Sequence, residues 1–337
     1  MNTEKRTSPT DNPAPPVSPG RAAPPASAAP ANLASSATPA LPGFDAANLD
    51  GDFPPAVVPS FRKEIAQSFV KNKAAIIGGT IVVIILLLAI FAPIVSPHDP
   101  YKVDLNKQFL TPGGGYLIGT DMFGRDVFSR ILYGTRISLL AGIVPTIISM
   151  TIGIAVGIAS GYYGGKVDFA LMMLADMVLA FPSLLLAMIV MYTLGATLLN
   201  IFIALSLVGW AGTARVVRSQ TLALKNKEFV EASRAIGTSN FTIMARHIFP
   251  NCVPQLLVLF SLNIPGAILA EASLSFLGIG AQPPAASWGL MVSNGREYLF
   301  NAPWVAIAPG IAILVTVLAF NFLGDGLRDA LDPYLKT

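Results

Sequence analysis

Residues 74–95, AAIIGGTIVVIILLLAIFAPIV, contain no ionisable side chain, and that run limits the fold more than any other stretch of the chain. A helix rises about 1.5 Å per residue, so about 22 apolar residues reach across a hydrocarbon core of about 30 Å. In a bilayer every backbone amide has to find its partner within the protein, and a continuous apolar run meets that condition as a helix. Comparable blocks at residues 137–160, 169–194, 199–214, 252–277 and 306–322 make this an all-α, polytopic membrane protein with six expected transmembrane helices. Composition agrees, with 53% of residues hydrophobic and 12% charged, where a soluble domain carries roughly a quarter charged. A net charge of +3 gives no reason to expect a nucleic-acid partner.

The first 60 residues are rich in Pro, Ala and Ser and lack periodicity, which predicts a disordered tail. They lack an early apolar core, so a cleavable signal peptide is not expected. Residues 61–73 interleave Arg62, Lys63, Lys71 and Lys73 with Phe61, Ile65 and Phe69, the pattern of an amphipathic helix lying on a membrane surface. A basic flank before the first span predicts a cytoplasmic N-terminus, and six spans return the C-terminus to that side. With this topology Lys and Arg fall on the cytoplasmic side over the outer side by roughly two to one, as the positive-inside rule asks.

Within the spans, several residues stand out. Gly153, Gly157 and Gly161 recur on one face of the second, which predicts close helix packing. Asp176 and Pro182 fall in the third. An acid at membrane depth is a candidate for the translocation route, or else sits near the interface paired with a basic residue. Pro182 predicts a kink. The fifth span holds Asn263 and Glu271 and is expected to be interrupted at Pro254 and Pro265, as in the broken helices that line transport pathways. Both polar residues are candidates for the pathway, with glue between helices, or an outer-interface position for Glu271, as the alternative. Trp288 and Trp304 are placed as interfacial anchors.

Between the fourth and fifth spans lies a polar island, Glu228 to Pro250, EFVEASRAIGTSNFTIMARHIFP. It reads as helix, tight turn, helix. Gly237 supplies the left-handed residue at the first helix end, Thr238, Ser239 or Asn240 caps the second, and Pro250 marks its boundary with the next span.

Glu231, Ala232 and Ser233, then Gly237, then Phe249 and Pro250 resemble the EAA loop of permease subunits of ATP-binding-cassette importers. Ser233 stands for an Ala of that pattern, His247 for an Ile and Phe249 for a Leu. The blocks GYLIGTDMFGRDVFSRILYGTRISL, GYYGG, AEASLSFLGIGAQPPAASWG and GDGLRDALDP are similar to the dipeptide and oligopeptide permeases of the same superfamily. The resemblance implies the type I importer permease fold, an inner-membrane location and a pore-forming subunit that imports di- or oligopeptides. It also implies a second homologous permease subunit, one or two ATPase subunits and a periplasmic or lipoprotein binding protein, alongside the membrane lipid. In that reading Phe229, Glu231, Ala232, Ser233, Ile236, Gly237 and Pro250 belong to the coupling loop, with Phe229, Ala232, Ser233 and Ile236 forming the face that enters an ATPase groove. Nickel, glutathione and other small solutes are served by related permeases and remain alternatives.

The chain has no GxxxxGK[ST] loop, so ATP is expected on a partner and no cofactor or enzymatic activity on this polypeptide. His98 and His247 fall in separate loops on opposite sides of the expected membrane, and Cys252 is alone, which leaves no basis for a metal or nucleophilic site. A self-sufficient ion-coupled transporter would carry more acids in its spans and an internal repeat, and neither is evident.

Overall fold

The computed structural model describes residues 69–331, so the expected tail and most of the expected surface helix at residues 61–73 lie outside the described residues. Helix α1 is Lys73–Val95, α2 Val127–Tyr163, α3 Gly165–Leu179, α4 Ser183–Leu194 and α5 Leu198–Leu224. The hairpin arm α6 is Glu228–Ala235, followed by α7, Asn240–Phe276, the short α8, Trp288–Gly295, and α9, Trp304–Leu331. Five of these are long and apolar enough to cross a membrane, and the α3–α4 pair, bent by 86°, makes a sixth if it is one span.

Packing directions support that count. Along α2 and α5 the contacts advance together. A Cβ on Gly153 would meet Thr213, one on Gly157 would meet Ala214 and Val217, and one on Gly161 would meet Thr221, all under 3 Å. The two helices are therefore parallel, so the chain returns from the end of α2 to the start of α5 along α3 and α4. Helices α1 and α9 run antiparallel, with Gly78 against Ala319 and Phe322, and Gly326 against Ala75. Asn72 donates to Asp329 at 2.9 Å, so both ends of the described chain lie at one end of the bundle, with the 228–248 hairpin. The opposite end carries the loops 96–126 and 277–303. These two faces are the hairpin end and the loop end below.

The glycine spacing at 153, 157 and 161 thus produces the close approach it predicts, since α2 and α5 meet backbone against small side chain. Other expectations change in extent. Helix α2 begins at Val127, about ten residues before the apolar block, because the Asp126 carboxylate caps it by accepting from the Ser129 amide at 3.2 Å. Helix α5 continues past residue 214 to Leu224, carrying Arg215 and Arg218 within it.

Proline behaves differently at each site. At Pro182 the expected kink is a full bend, with Ala180, Phe181 and Pro182 outside the helices. Pro254 and Pro265 do not interrupt the fifth span, since α7 runs through both. Carbonyls freed by proline in membrane helices are tolerated where packed neighbours surround the helix, and α7 is packed against α2 and α9. Pro250 does not end the second hairpin arm either. A π-helical stretch, Met244–Ile248, precedes it, and the wider turn relieves the clash a proline ring makes with the carbonyl four residues back. The second arm and the fifth span are one helix.

One of the two tryptophans differs from expectation. Trp288 is only 2% exposed and donates from Nε1 to the Ile131 carbonyl at 3.1 Å, so it packs inside the loop-end cap and does not face lipid. Trp304 donates to the Thr120 carbonyl at 3.2 Å.

Candidate functional site

The turn of the hairpin is built from three residues. Gly237 has φ +78°, its amide donates to the Arg234 carbonyl at 3.0 Å, and Thr238 donates to Ser233 at 3.1 Å. That pair of bonds closes α6 in a Schellman motif, which an L side chain at Gly237 would strain. Ser239 then caps α7, its hydroxyl accepting from the Thr242 amide at 3.3 Å.

The inner face of the hairpin is fixed to the bundle. Val230, Ile243 and Ile248 are fully buried in a cluster with Ile158 and Tyr162 of α2, Val217 of α5, and Cys252 and Leu256 of α7. Tyr162 donates its hydroxyl to the Asn240 side chain at 2.8 Å, and the Arg234 guanidinium lies 5.8 Å from the Tyr162 ring centroid. This anchor is not evident in the sequence, where GYYGG stands out only as one of the blocks similar to the peptide permeases. The α2 helix continues through Tyr163 and turns at Gly164 and Gly165, φ +68° and +55°.

The outer face is bare. Phe229 is 42% exposed, Ile236 83% and Phe241 76%, with Glu231 and Ala232 exposed beside them and Pro250 exposed further along. Ser233 departs from the face expected for it. It is buried, donates to the Phe229 carbonyl at 2.7 Å, and lies 3.4 Å from Nε2 of His247. The reason is angular: on an eight-residue helix Ser233 shares the inward side with Val230, three residues before it. Phe229, Ala232 and Ile236 keep the outward side.

Above the hairpin, a cavity of about 460 Å³ opens between α2, α4, α5 and α7. Its polar lining is Thr146, Ser149, Ser183, Asn263 and Ser273, and no ionisable side chain lines it. Of the three sequence candidates for a pathway, only Asn263 reaches this space. Glu271 sits elsewhere on α7, fully buried; Ser275 donates to its Oε1 at 2.7 Å, and Oε2 has no partner among the described residues. Asp176 lines a separate open groove on α3 and pairs with Arg215 at 2.6 Å, each side chain more than half exposed.

One further pair escaped the sequence reading. Arg218 grips Asp168 with both guanidinium arms, Nε at 2.5 Å and Nη2 at 2.6 Å, and Ser160 donates to the same carboxylate. Lys225 donates to the Gly161 carbonyl at 3.0 Å. The start of α3 is thereby held against α2 and α5 while its remainder bends away. Asp168 and Arg218 stand 50 residues apart in sequence, and no local signal joins them. Among the described residues no cluster of three or more metal-binding side chains occurs.

Residues 153–337 match the family described as the binding-protein-dependent transport system inner membrane component, and residues 60–112 match the N-terminal TM domain of oligopeptide transport permease C. The glutathione transport system permease protein GsiD of Pectobacterium atrosepticum is 42% identical over 82% of this chain and 92% of its own length. The oligopeptide transport system permease protein OppC of Bacillus subtilis is 42% identical over 82% and 91%. The di/tripeptide transport system permease protein DppC of Pseudomonas aeruginosa is 41% identical over 86% and 97%. An inward-facing structure of the methionine ABC transporter MetNI is more distant, at 19% identity and a TM-score of 0.49 over 60% of this chain and 96% of that one.

Proposed function

Because the chain belongs to the inner-membrane components of binding-protein-dependent transport systems, we propose that it is one half of the pore of an ATP-driven importer for short peptides. The hairpin end, which carries both ends of the described chain, faces the cytoplasm. A separate ATPase subunit binds ATP and seats the outward face of the hairpin, while this polypeptide performs no chemistry of its own. A second, homologous permease closes the pore, and a binding protein delivers solute at the loop end.

The observation that carries this reading is the two-sidedness of the hairpin. Phe229, Ile236 and Phe241 form an exposed apolar edge at the end of a bundle. Aromatic and aliphatic side chains that protrude from a polar loop are suited to a partner's groove. Val230, Ile243 and Ile248, a few residues away, lock the same element to α2, α5 and α7. A push on the outer face therefore reaches three of the four helices that line the cavity.

Short peptides are favoured as solute because three relatives are named for glutathione, oligopeptides and di/tripeptides. All are chains of amide groups. A cavity lined by hydroxyls and the Asn263 carboxamide, with no ionisable group, offers hydrogen bonds to amides without holding a charge in place. Asn263 is the residue proposed to contact the passing solute. The groove-lining Asp176–Arg215 pair also borders the route, because a half-exposed ion pair in a bilayer requires water or protein beside it.

The test is Ile236→Asp with Phe241→Asp in the assembled transporter. Normal insertion, loss of ATPase co-purification and loss of peptide uptake are expected. Wild-type uptake by that variant refutes the docking face.

A further inference from the structure

At the loop end a second cavity, about 440 Å³, lies between the loops 96–126 and 277–303. Its rim is apolar and open, with Val103 54%, Tyr101 44% and Phe123 43% exposed, and Pro283 and Pro284 form part of the wall. Its floor is cationic. Arg125 is 7% exposed and Arg130 2%, and both line the cavity.

One carboxylate serves both guanidinium groups. Asp121 accepts from Arg125 Nε at 2.7 Å, while Arg130 Nε stands 3.7 Å from the same oxygen. Its other oxygen is occupied by the amides of Phe123 and Arg125, at 2.8 and 3.0 Å. Asp126 is not paired with either arginine: its Oδ2 meets Ser129 and His98, and its buried Oδ1 has no partner among the described residues. Arg130 donates from one terminal nitrogen to the Pro100 carbonyl at 3.0 Å and from the other to the Ala285 carbonyl at 3.4 Å, which makes it a strut between the two loops. Arg125 is different. Among the described residues neither of its terminal nitrogens has a hydrogen-bond partner, and its guanidinium carbon lies over the Phe123 ring, 4.5 Å from the centroid. The Asn294 carboxamide, also in the lining, is likewise without a partner among the described residues.

Two nearly buried cations with one carboxylate within 4 Å, a guanidinium over an aromatic ring with both terminal nitrogens unused, and an idle amide form a receptor for an anion with two oxygens. Guanidinium forks match carboxylates in this way, and the Phe123 ring and the Nε bond to Asp121 orient this one before the ligand arrives. We infer that the loop-end cavity binds the free C-terminal carboxylate of a short peptide, with Arg125 as its bidentate partner, Asn294 as an added donor, and Tyr101 and Phe123 against the last side chain. This rests on the reading of the protein as a peptide importer, and it places a solute contact at the loop end, apart from the uncharged cavity around Asn263.

The experiment uses the full chain in lipid nanodiscs, titrated with N-acetyl-dialanine and with its C-terminal amide. The acid is expected to bind about tenfold more tightly than the amide. Arg125→Lys keeps the charge and removes the fork, and Asn294→Ala leaves the Asp121 turn untouched; each is expected to reduce the preference several-fold. Equal binding of acid and amide, no binding of either, or an unchanged preference in both variants overturns the inference. Weakened docking of the binding protein in Asn294→Ala without any carboxylate preference also overturns it, since the pocket then serves a protein side chain. The importer reading fails separately, if the acid binds as expected yet the assembled transporter imports no peptide.

Discussion

The α2–α5 pair and the α3–α4 pair are adjacent in the bundle and are built by opposite rules. Along α2 and α5, three glycines let one helix lie on the other at contact distances an added methyl would violate. Along α3 only Ala175 is buried, and the chain bends by 86° before α4. The first pair shares a core with the hairpin, and the second borders both the cavity and the Asp176 groove. A transporter needs a stiff part to carry force and a compliant part to yield to it, and this difference in packing assigns those roles to neighbouring helices.

The closely packed α2–α5 pair is the more sensitive to substitution. Gly157→Leu puts a side chain into the Ala214 carbonyl at 2.6 Å and Val217 at 2.7 Å. Overpacking of this kind costs about 3 kcal/mol. Thermal unfolding in detergent is expected to show a large loss or no folded protein; a variant as stable as wild type would mean that the pair is not tightly packed. Asp168→Asn comes next. It breaks a two-armed, partly buried pair, and a loss of about 2 kcal/mol is expected by the same measurement. Asp176→Asn sharpens the contrast, because its exposed pair with Arg215 is worth at most about 1 kcal/mol. If the two substitutions destabilise equally, α3 is not pinned at its start and free beyond. The smallest effect belongs to Gly266→Ala. Gly266 lines the cavity with open space where a Cβ would go, so stability within about 0.5 kcal/mol of wild type is expected.

Much of the frame is legible without coordinates, for particular reasons. The uncharged run at 74–95 has to cross a bilayer, and glycines at fourfold spacing have to face a neighbour. Gly237 and Ser239 carry their turn and cap in their own chemistry, so the hairpin is readable from short range. What sequence patterns hide is long range or cooperative. Pro250 looks like a boundary, yet a π-helical stretch carries the helix through it. Ser233 sits at helical spacing with Phe229 and Ile236, but a core on one side of α6 turns it inward. Trp288 has the composition of an interfacial anchor and is buried because two loops close over it. The contacts of Asp168 with Arg218 and of Tyr162 with Asn240 depend on a fold that no local window contains.

In the proposed coupling the hairpin moves with α2, α5 and α7 as one body and passes an ATPase's motion to the cavity. Gly237→Val tests it most directly, since an added Cβ there meets nothing within 4 Å and the strain falls on a turn held at φ +78°. ATP-driven peptide uptake would be measured in proteoliposomes holding the assembled transporter, with insertion and thermal stability of the subunit checked in parallel. A normally inserted, folded subunit is expected, less stable by about 1–3 kcal/mol because Val is held at positive φ, with uptake and solute-stimulated ATP hydrolysis lost together. Uptake and stimulation at wild-type levels in that variant would contradict it.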